Sequence, residues 1–160
     1  MKGGRMKGNE KIIVRLNDLL SEELTAINQY VVHSEMCENW GYERLHKASE
    51  KRSIDEMKHA EKLIARILFL EGKPNVSQLQ KITIGQSVDV QLKGDLASEV
   101  VAVKSYNDAI QLALELSDNG TREILDSILE DEEDHIDWLE AQLEQIAQMG
   151  IQNYLVEQID

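Results

Sequence analysis

Two short motifs in this chain have the residue types and spacing of a metal centre: Glu56-x-x-His59 and Glu132-x-x-His135. On a helix a residue and the one three positions later share a face, so each motif offers one carboxylate and one imidazole to the same neighbour. Two further glutamates, Glu23 and Glu99, interrupt stripes that are otherwise apolar: Leu16, Leu20, Glu23, Ile27, Tyr30 and Leu92, Leu96, Glu99, Val103, Tyr106. The step along the chain from Glu23 to Glu56 equals the step from Glu99 to Glu132. The order Glu, Glu-x-x-His is thus repeated. A single glutamate on a helix stripe is more often half exposed, or paired with an arginine, than a ligand. Four at one level cannot all ionise unaided, because burial and mutual repulsion both favour the protonated form. Two divalent cations balance four carboxylates, and oxygen ligands with some imidazole suit iron or manganese better than the thiolate sites of structural zinc.

The elements that must position these groups are helices. The chain has 160 residues, 42% apolar and 29% charged, with one proline, the composition of one helical domain. Apolar periodicity predicts a first helix over 12–39, ended by Asn39-Trp40-Gly41, and a second over 43–71, ended by Gly72 and Pro74. A third begins near Ser87 and runs to Asn119-Gly120, and a fourth runs over 121–149. The turns within each pair are short, so each pair forms an antiparallel hairpin. The link over 72–86 is long and must cross the bundle, with Val76, Leu79, Ile82 and Ile84 packed along two helices. Residues 1–160 then form one domain, with 1–8 a flexible extension and 151–158 a short fifth helix.

A net charge of −13 repels phosphate backbones and anionic lipid and concentrates cations, so neither nucleic acid nor a membrane is an expected partner. Cys37 is the only cysteine. There is no secretory pattern at the N-terminus and no long apolar run. A cytoplasmic protein is the expectation.

Several segments resemble the bacterioferritin family: Ala26-Ile-Asn-Gln-Tyr30, Ser53-Ile-Asp-Glu-Met-Lys-His-Ala60, Arg66-Ile-Leu-Phe-Leu-Glu-Gly72, Asp131-Glu-Glu-Asp-His-Ile-Asp-Trp138 and Gly150-Ile-Gln-Asn-Tyr-Leu155. The resemblance covers nearly the whole chain from Met6. It implies an all-α, ferritin-like four-helix bundle with one long crossover between the second and third helices and a short C-terminal fifth helix. It also implies iron storage. Glu23, Glu56, His59, Glu99, Glu132 and His135 would be both the catalytic set and the ligands of two iron ions per subunit, with Glu56 and Glu132 bridging. The activity implied is a ferroxidase, oxidising Fe(II) with dioxygen or hydrogen peroxide and passing Fe(III) to a mineral. The assembly implied is a homo-oligomeric shell of 24 subunits built from dimers, with the tail packed around its four-fold axes and a ferredoxin-type reductant for iron release.

Tyr30 resembles a family tyrosine that hydrogen-bonds a ligand or donates an electron; on its residue type alone it reads equally as a core tyrosine. Met57 points away from the metal face and on sequence alone reads as packing. Its Asp-Glu-Met-Lys-His context resembles the family's haem site, in which methionines from two subunits ligate one haem b. In the family a histidine often precedes the motif aspartate by one turn, beside the inner cavity. Here Lys51 stands there and Arg52 replaces a common acid, although Asp55 matches, so no extra cavity-side iron site is expected to support turnover. The dimetal centre would then act as a pore or use other electron relays. Two other readings are a di-iron enzyme without storage, resembling rubrerythrin, and a non-catalytic haem-carrying subunit.

Overall fold

A computed structural model describes residues 7–160; residues 1–6 of the expected N-terminal extension lie outside the described residues. Five helices follow one another: α1 (Glu10–Trp40), α2 (Glu43–Phe69), α3 (Val88–Glu115), α4 (Asn119–Met149) and α5 (Ile151–Val156). No described residue is in a strand. The expected all-α, ferritin-like bundle with a long crossover and a short fifth helix is the fold observed.

Helix ends follow local chemistry. The Asn9 side chain accepts the Lys11 N–H at 2.9 Å and caps α1, after Gly8 has donated its N–H to the Leu70 carbonyl. Gly41, at φ 84°, closes α1. In that left-handed conformation the Gly41 and Tyr42 N–H groups return to the Glu38 and Cys37 carbonyls, and the chain reverses directly into α2. Asp118 caps α4 by accepting the Thr121 N–H at 3.1 Å. That helix therefore starts at Asn119, slightly earlier than its apolar periodicity indicates. The tail helix ends at Val156 rather than 158, since the Glu157 and Gln158 N–H groups make turn bonds to Tyr154 and Leu155.

Within the bundle α1 packs on α2 and α3, and α4 packs on α3, α2 and α5. Contacts across α1 and α3 run in opposite order, from Glu22 with Ser105 to Cys37 with Gln91, so these helices are antiparallel. It follows that α2 and α3 point the same way, and the link between them must return the length of the bundle, about 40 Å at ~1.5 Å per helical residue. Two apolar layers bound the middle. One contains Leu16, Leu20, Leu63, Ile67, Leu125 and Ile128; the other contains Leu45, Leu92, Leu139 and Tyr154. Each fully buried leucine or isoleucine contributes about 1.5–3 kcal/mol. Together they seal a polar level from both ends.

The crossover is held differently from expectation. Val76 and Leu79 are exposed, and only Ile82 and Ile84 are half-buried. A polar stripe on α1 does most of the holding, with Asn17, Ser21, Thr25 and His33 spaced at multiples of four. Ser21 Oγ donates to the Gln78 carbonyl at 2.9 Å, and Thr25 Oγ1 accepts the Gln80 N–H at 2.9 Å. His33, fully buried, accepts the Gly85 N–H at Nε2 and meets Asp95 through Nδ1 at 2.9 Å. Asp95 in turn accepts from Gln29. These hydrogen bonds satisfy a segment that has no ladder of its own.

Candidate metal centre

The polar level is made by the six residues singled out above. Glu23 comes from α1, Glu56 and His59 from α2, Glu99 from α3, and Glu132 and His135 from α4. All are buried, and none of the four carboxylates exceeds 2% exposure. They fall into two overlapping groups, Glu23, Glu56, His59, Glu132 and Glu56, Glu99, Glu132, His135, within each of which donor atoms lie no more than 4.8 Å apart. Glu56 and Glu132 are common to both.

Each histidine presents Nδ1 to the carboxylates. His59 Nδ1 is 2.9 Å from Glu132 and 3.6 Å from Glu23, and His135 Nδ1 is 3.1 Å from Glu56 and 3.4 Å from Glu99. The opposite ring nitrogens point at aspartates: His59 Nε2 lies 2.8 Å from Asp131, and His135 Nε2 lies 3.4 Å from Asp55. A neutral ring that donates Nε2–H to its aspartate leaves the Nδ1 lone pair facing inward, the arrangement that orients a metal-ligating histidine. Each aspartate immediately precedes the glutamate of one motif and serves the histidine of the other. Asp55 also takes Lys51 Nζ at 3.3 Å. Arg52 is turned over the Trp138 ring, 5.4 Å from its centroid.

Two tyrosines complete the level. Tyr30 OH donates to Glu99 at 2.6 Å, and Tyr106 OH donates to Glu23 at 2.5 Å. Tyr30 is therefore a hydrogen-bonding neighbour of the cluster and a core residue at once. The sequence reading missed that Tyr106 does the same and that Asp131 matches Asp55. The signal was available: Glu23, Tyr30, Asp55, Glu56 and His59 each recur, at one constant offset, as Glu99, Tyr106, Asp131, Glu132 and His135.

Electrostatics follows from this crowding. Burial pushes Glu23 up to about 7 despite the adjoining Glu56 carboxyl and the Tyr106 hydroxyl. Burial and the neighbouring glutamates hold Glu56 and Glu132 well above the usual carboxylate range. Glu99 is the exception. Its burial is outweighed by the adjoining Glu132 carboxyl, by His135 and its charge, and by the Tyr30 hydroxyl, and it stays below the usual value. Burial opposes charging of His59 and His135, but their acidic partners outweigh it and raise both. Both phenols are pushed well up by burial and by nearby carboxylates, so they act as donors. Even so, Glu23 Oε2, Glu56 Oε1, Glu99 Oε2, both Glu132 oxygens and both histidine Nδ1 atoms have no hydrogen-bond partner among the described residues. Seven buried orphan atoms converging on one volume fit two cations as the missing partners.

Met57, next to Glu56, lies elsewhere. It is 46% exposed on the side of α2, with Ile54 also exposed. No helix among the described residues is long and apolar enough to cross a membrane.

The ferritin-like domain matches residues 13–149 of this chain. Bacterioferritin of Brucella melitensis is 45% identical over 149 residues, covering 93% of this chain and 92% of that protein. Those of Rhodobacter capsulatus and Mycobacterium avium are 44% and 42% identical over the same share of this chain, covering 92% and 94% of their own lengths. The chain belongs to the bacterioferritin family of ferritin-like proteins.

Proposed function

We propose that this protein stores iron and is a ferroxidase, with Glu23, Glu56, His59, Glu99, Glu132 and His135 binding two Fe(II) ions as substrate. The observation that carries this reading is the convergence of seven unpartnered, buried donor atoms on one volume between the four helices. Glu56 and Glu132 bridge the two positions, because each belongs to both donor groups. Binding displaces the protons that the metal-free carboxyls retain, and the four carboxylates then balance two dications. Two Fe(II) together lose two electrons. Dioxygen with two protons becomes hydrogen peroxide, or hydrogen peroxide with two protons becomes two waters. The protein's part is to fix coordination, exclude water and hold the ligands through Asp55, Asp131, Tyr30 and Tyr106.

Storage calls for a hollow assembly, and the family relationship supports an oligomeric one; the reading extends it to 24 subunits built from dimers, cytoplasmic, with a ferredoxin-type reductant for release. Exposed Met57 fits a haem shared by two subunits: its soft thioether is open to a partner, and Ile54, three residues earlier on α2, is exposed as well. Haem b bound there would carry electrons to the stored mineral.

Stopped-flow Fe(II) oxidation tests the ferroxidase: Glu23→Ala and His135→Ala should each slow the fast phase by about 100-fold, and unchanged rates would refute the assignment. Sedimentation tests the shell, with a dimer as the contrary result. Met57→Leu should abolish the absorbance of a bis-methionine haem while leaving assembly intact.

A further inference from the structure

A second group of metal-ligating side chains lies away from the core, where α1 turns back into α2. Glu35 and Glu38 stand on the last turns of α1 and His46 in the first turn of α2, and the three offer donor atoms within 4.8 Å of one another. Glu50, one turn beyond His46, brings a fourth. Its Oε2 is 3.7 Å from His46 Nε2, and Glu38 Oε2 is 3.8 Å from the same nitrogen. These separations are too long for hydrogen bonds. Both glutamates are more than half exposed and free to move.

His46 is different, at 8% exposure. Ser34 holds it from behind. The Ser34 hydroxyl donates to the His46 carbonyl at 3.1 Å, so its oxygen is left to accept, and the Ser34 carbonyl can only accept. His46 Nδ1 lies 2.9 Å from that hydroxyl oxygen and 3.1 Å from that carbonyl oxygen. Nδ1 therefore carries the hydrogen, and the Nε2 lone pair faces the glutamates. A metal-ligating histidine is oriented in this way, by its other ring nitrogen donating to a backbone carbonyl. A lone pair among carboxylates is repelled unless a cation comes between them.

The neighbouring basic residues are engaged elsewhere. Lys47 pairs with Glu43, Lys51 with Asp55, and Arg44 donates to the Glu157 carbonyl. The second half of the internal repeat shows what a plain ion pair looks like at the same place. There Arg122 stands at the position of His46 and pairs at 3.5 Å with Asp126, the counterpart of Glu50, while Gln111 and Leu114 replace Glu35 and Glu38. One permanent cation is matched by one acid. The first half has three acids around a neutral imidazole instead.

We propose that Glu35, Glu38 and His46 bind one divalent first-row transition cation, with Glu50 completing its coordination. One imidazole nitrogen with carboxylate oxygens suits such an ion, and bonds of about 2.1 Å set neighbouring ligand atoms about 3.4 Å apart. The exposed glutamates need to close by only a few tenths of an ångström. The bound ion ties the end of α1 to the start of α2 across the glycine turn. It lies outside the dinuclear cluster, and the proposal does not depend on what that cluster binds.

Zinc(II) is the probe. Metal-free assembled protein is titrated to count ions per chain, and zinc-soaked crystals are measured at the zinc edge to locate them. The unmodified protein should bind one Zn(II) per chain more than His46→Asn, with an anomalous peak between Glu35, Glu38 and His46 that the variant lacks. Glu38→Gln, at an exposed position where folding is not at stake, should weaken that ion by at least the roughly tenfold lost when an outer partner of a ligand is removed. Equal counts in the unmodified protein and His46→Asn, or no peak at the turn, would overturn the site. So would a peak that survives His46→Asn, which would be an adventitious ion held by surface acids only.

Discussion

Glu23 and the two histidines show how strongly the polar level depends on what fills it. The unfolded chain ionises Glu23 near 4.5, whereas the folded metal-free site keeps that proton up to about 7. Between those values the unfolded state has already lost a proton that the folded state retains, so stability falls as pH rises through the window. His59 and His135 act in the same sense: raised from 6.5, they contribute stability that is complete below that value and is lost as pH rises through their folded values. On the proposed reading, bound dications would take the place of these protons. The midpoint of thermal unfolding should therefore rise more on adding Zn(II) at pH 7.5 than at pH 5, and an equal gain at both would refute the protonation scheme. At the same scale, Asp131→Asn weakens the charge that holds the His59 tautomer. Zn(II) affinity should fall by about 10- to 100-fold, read by competition with a chelating dye; an unchanged affinity would remove His59 from the ligand set. The six residues of the cluster were legible in the sequence, since a glutamate inside an apolar stripe conflicts with burial and needs a reason. Asp131 and Tyr106 were less so. An aspartate in an acidic helix carries no mark of its own, and a tyrosine on a core stripe already has an apolar explanation.

At the scale of elements, the start of α4 is the most tightly specified end in the bundle. Asp118 receives the Thr121 N–H and hydroxyl and the Arg66 guanidinium at 3.0 Å. Burial would raise this carboxyl, but those partners outweigh it and lower it. Asp118→Ala should cost about 1–2 kcal/mol, the usual value of an N-cap, measured by urea unfolding at neutral pH. A carboxyl lowered by folding contributes above its unfolded value of 3.8, and that contribution is lost as pH falls through its folded value. The difference between the two proteins should accordingly shrink in acid. The four helices and the short tail could be read from apolar periodicity and glycine stops, because those signals are local. The crossover could not: its apolar residues suggested an apolar attachment, whereas the docking groups sit on α1. Asn17, Ser21, Thr25 and His33 read individually as ordinary polar positions. Their common role appears only once Gly85 and Gln80 are seen to need acceptors.

At the scale of the molecule, the chain is a hairpin duplicated at one fixed spacing, and its two copies build one centre. The duplication is incomplete where the crossover lies. The counterparts of Asn17, Ser21, Thr25 and His33 are Lys93, Ala97, Val101 and Ala109, none of which could reproduce the whole set of hydrogen bonds. This difference bears on how a symmetrical design avoids pairing wrongly. Two first hairpins from separate chains would bring together the same acids, imidazoles and phenols as one complete chain, so the cluster cannot distinguish self from a duplicate. The attachment of the link can. Only when the second hairpin occupies its own place does the Gly85 amide reach His33 while Asp95 steadies that ring from the far side, and an exchanged arrangement would forfeit the Asp95 contact deep inside the protein. A segment that contributes nothing to the buried cluster thus tells apart two halves that are otherwise interchangeable.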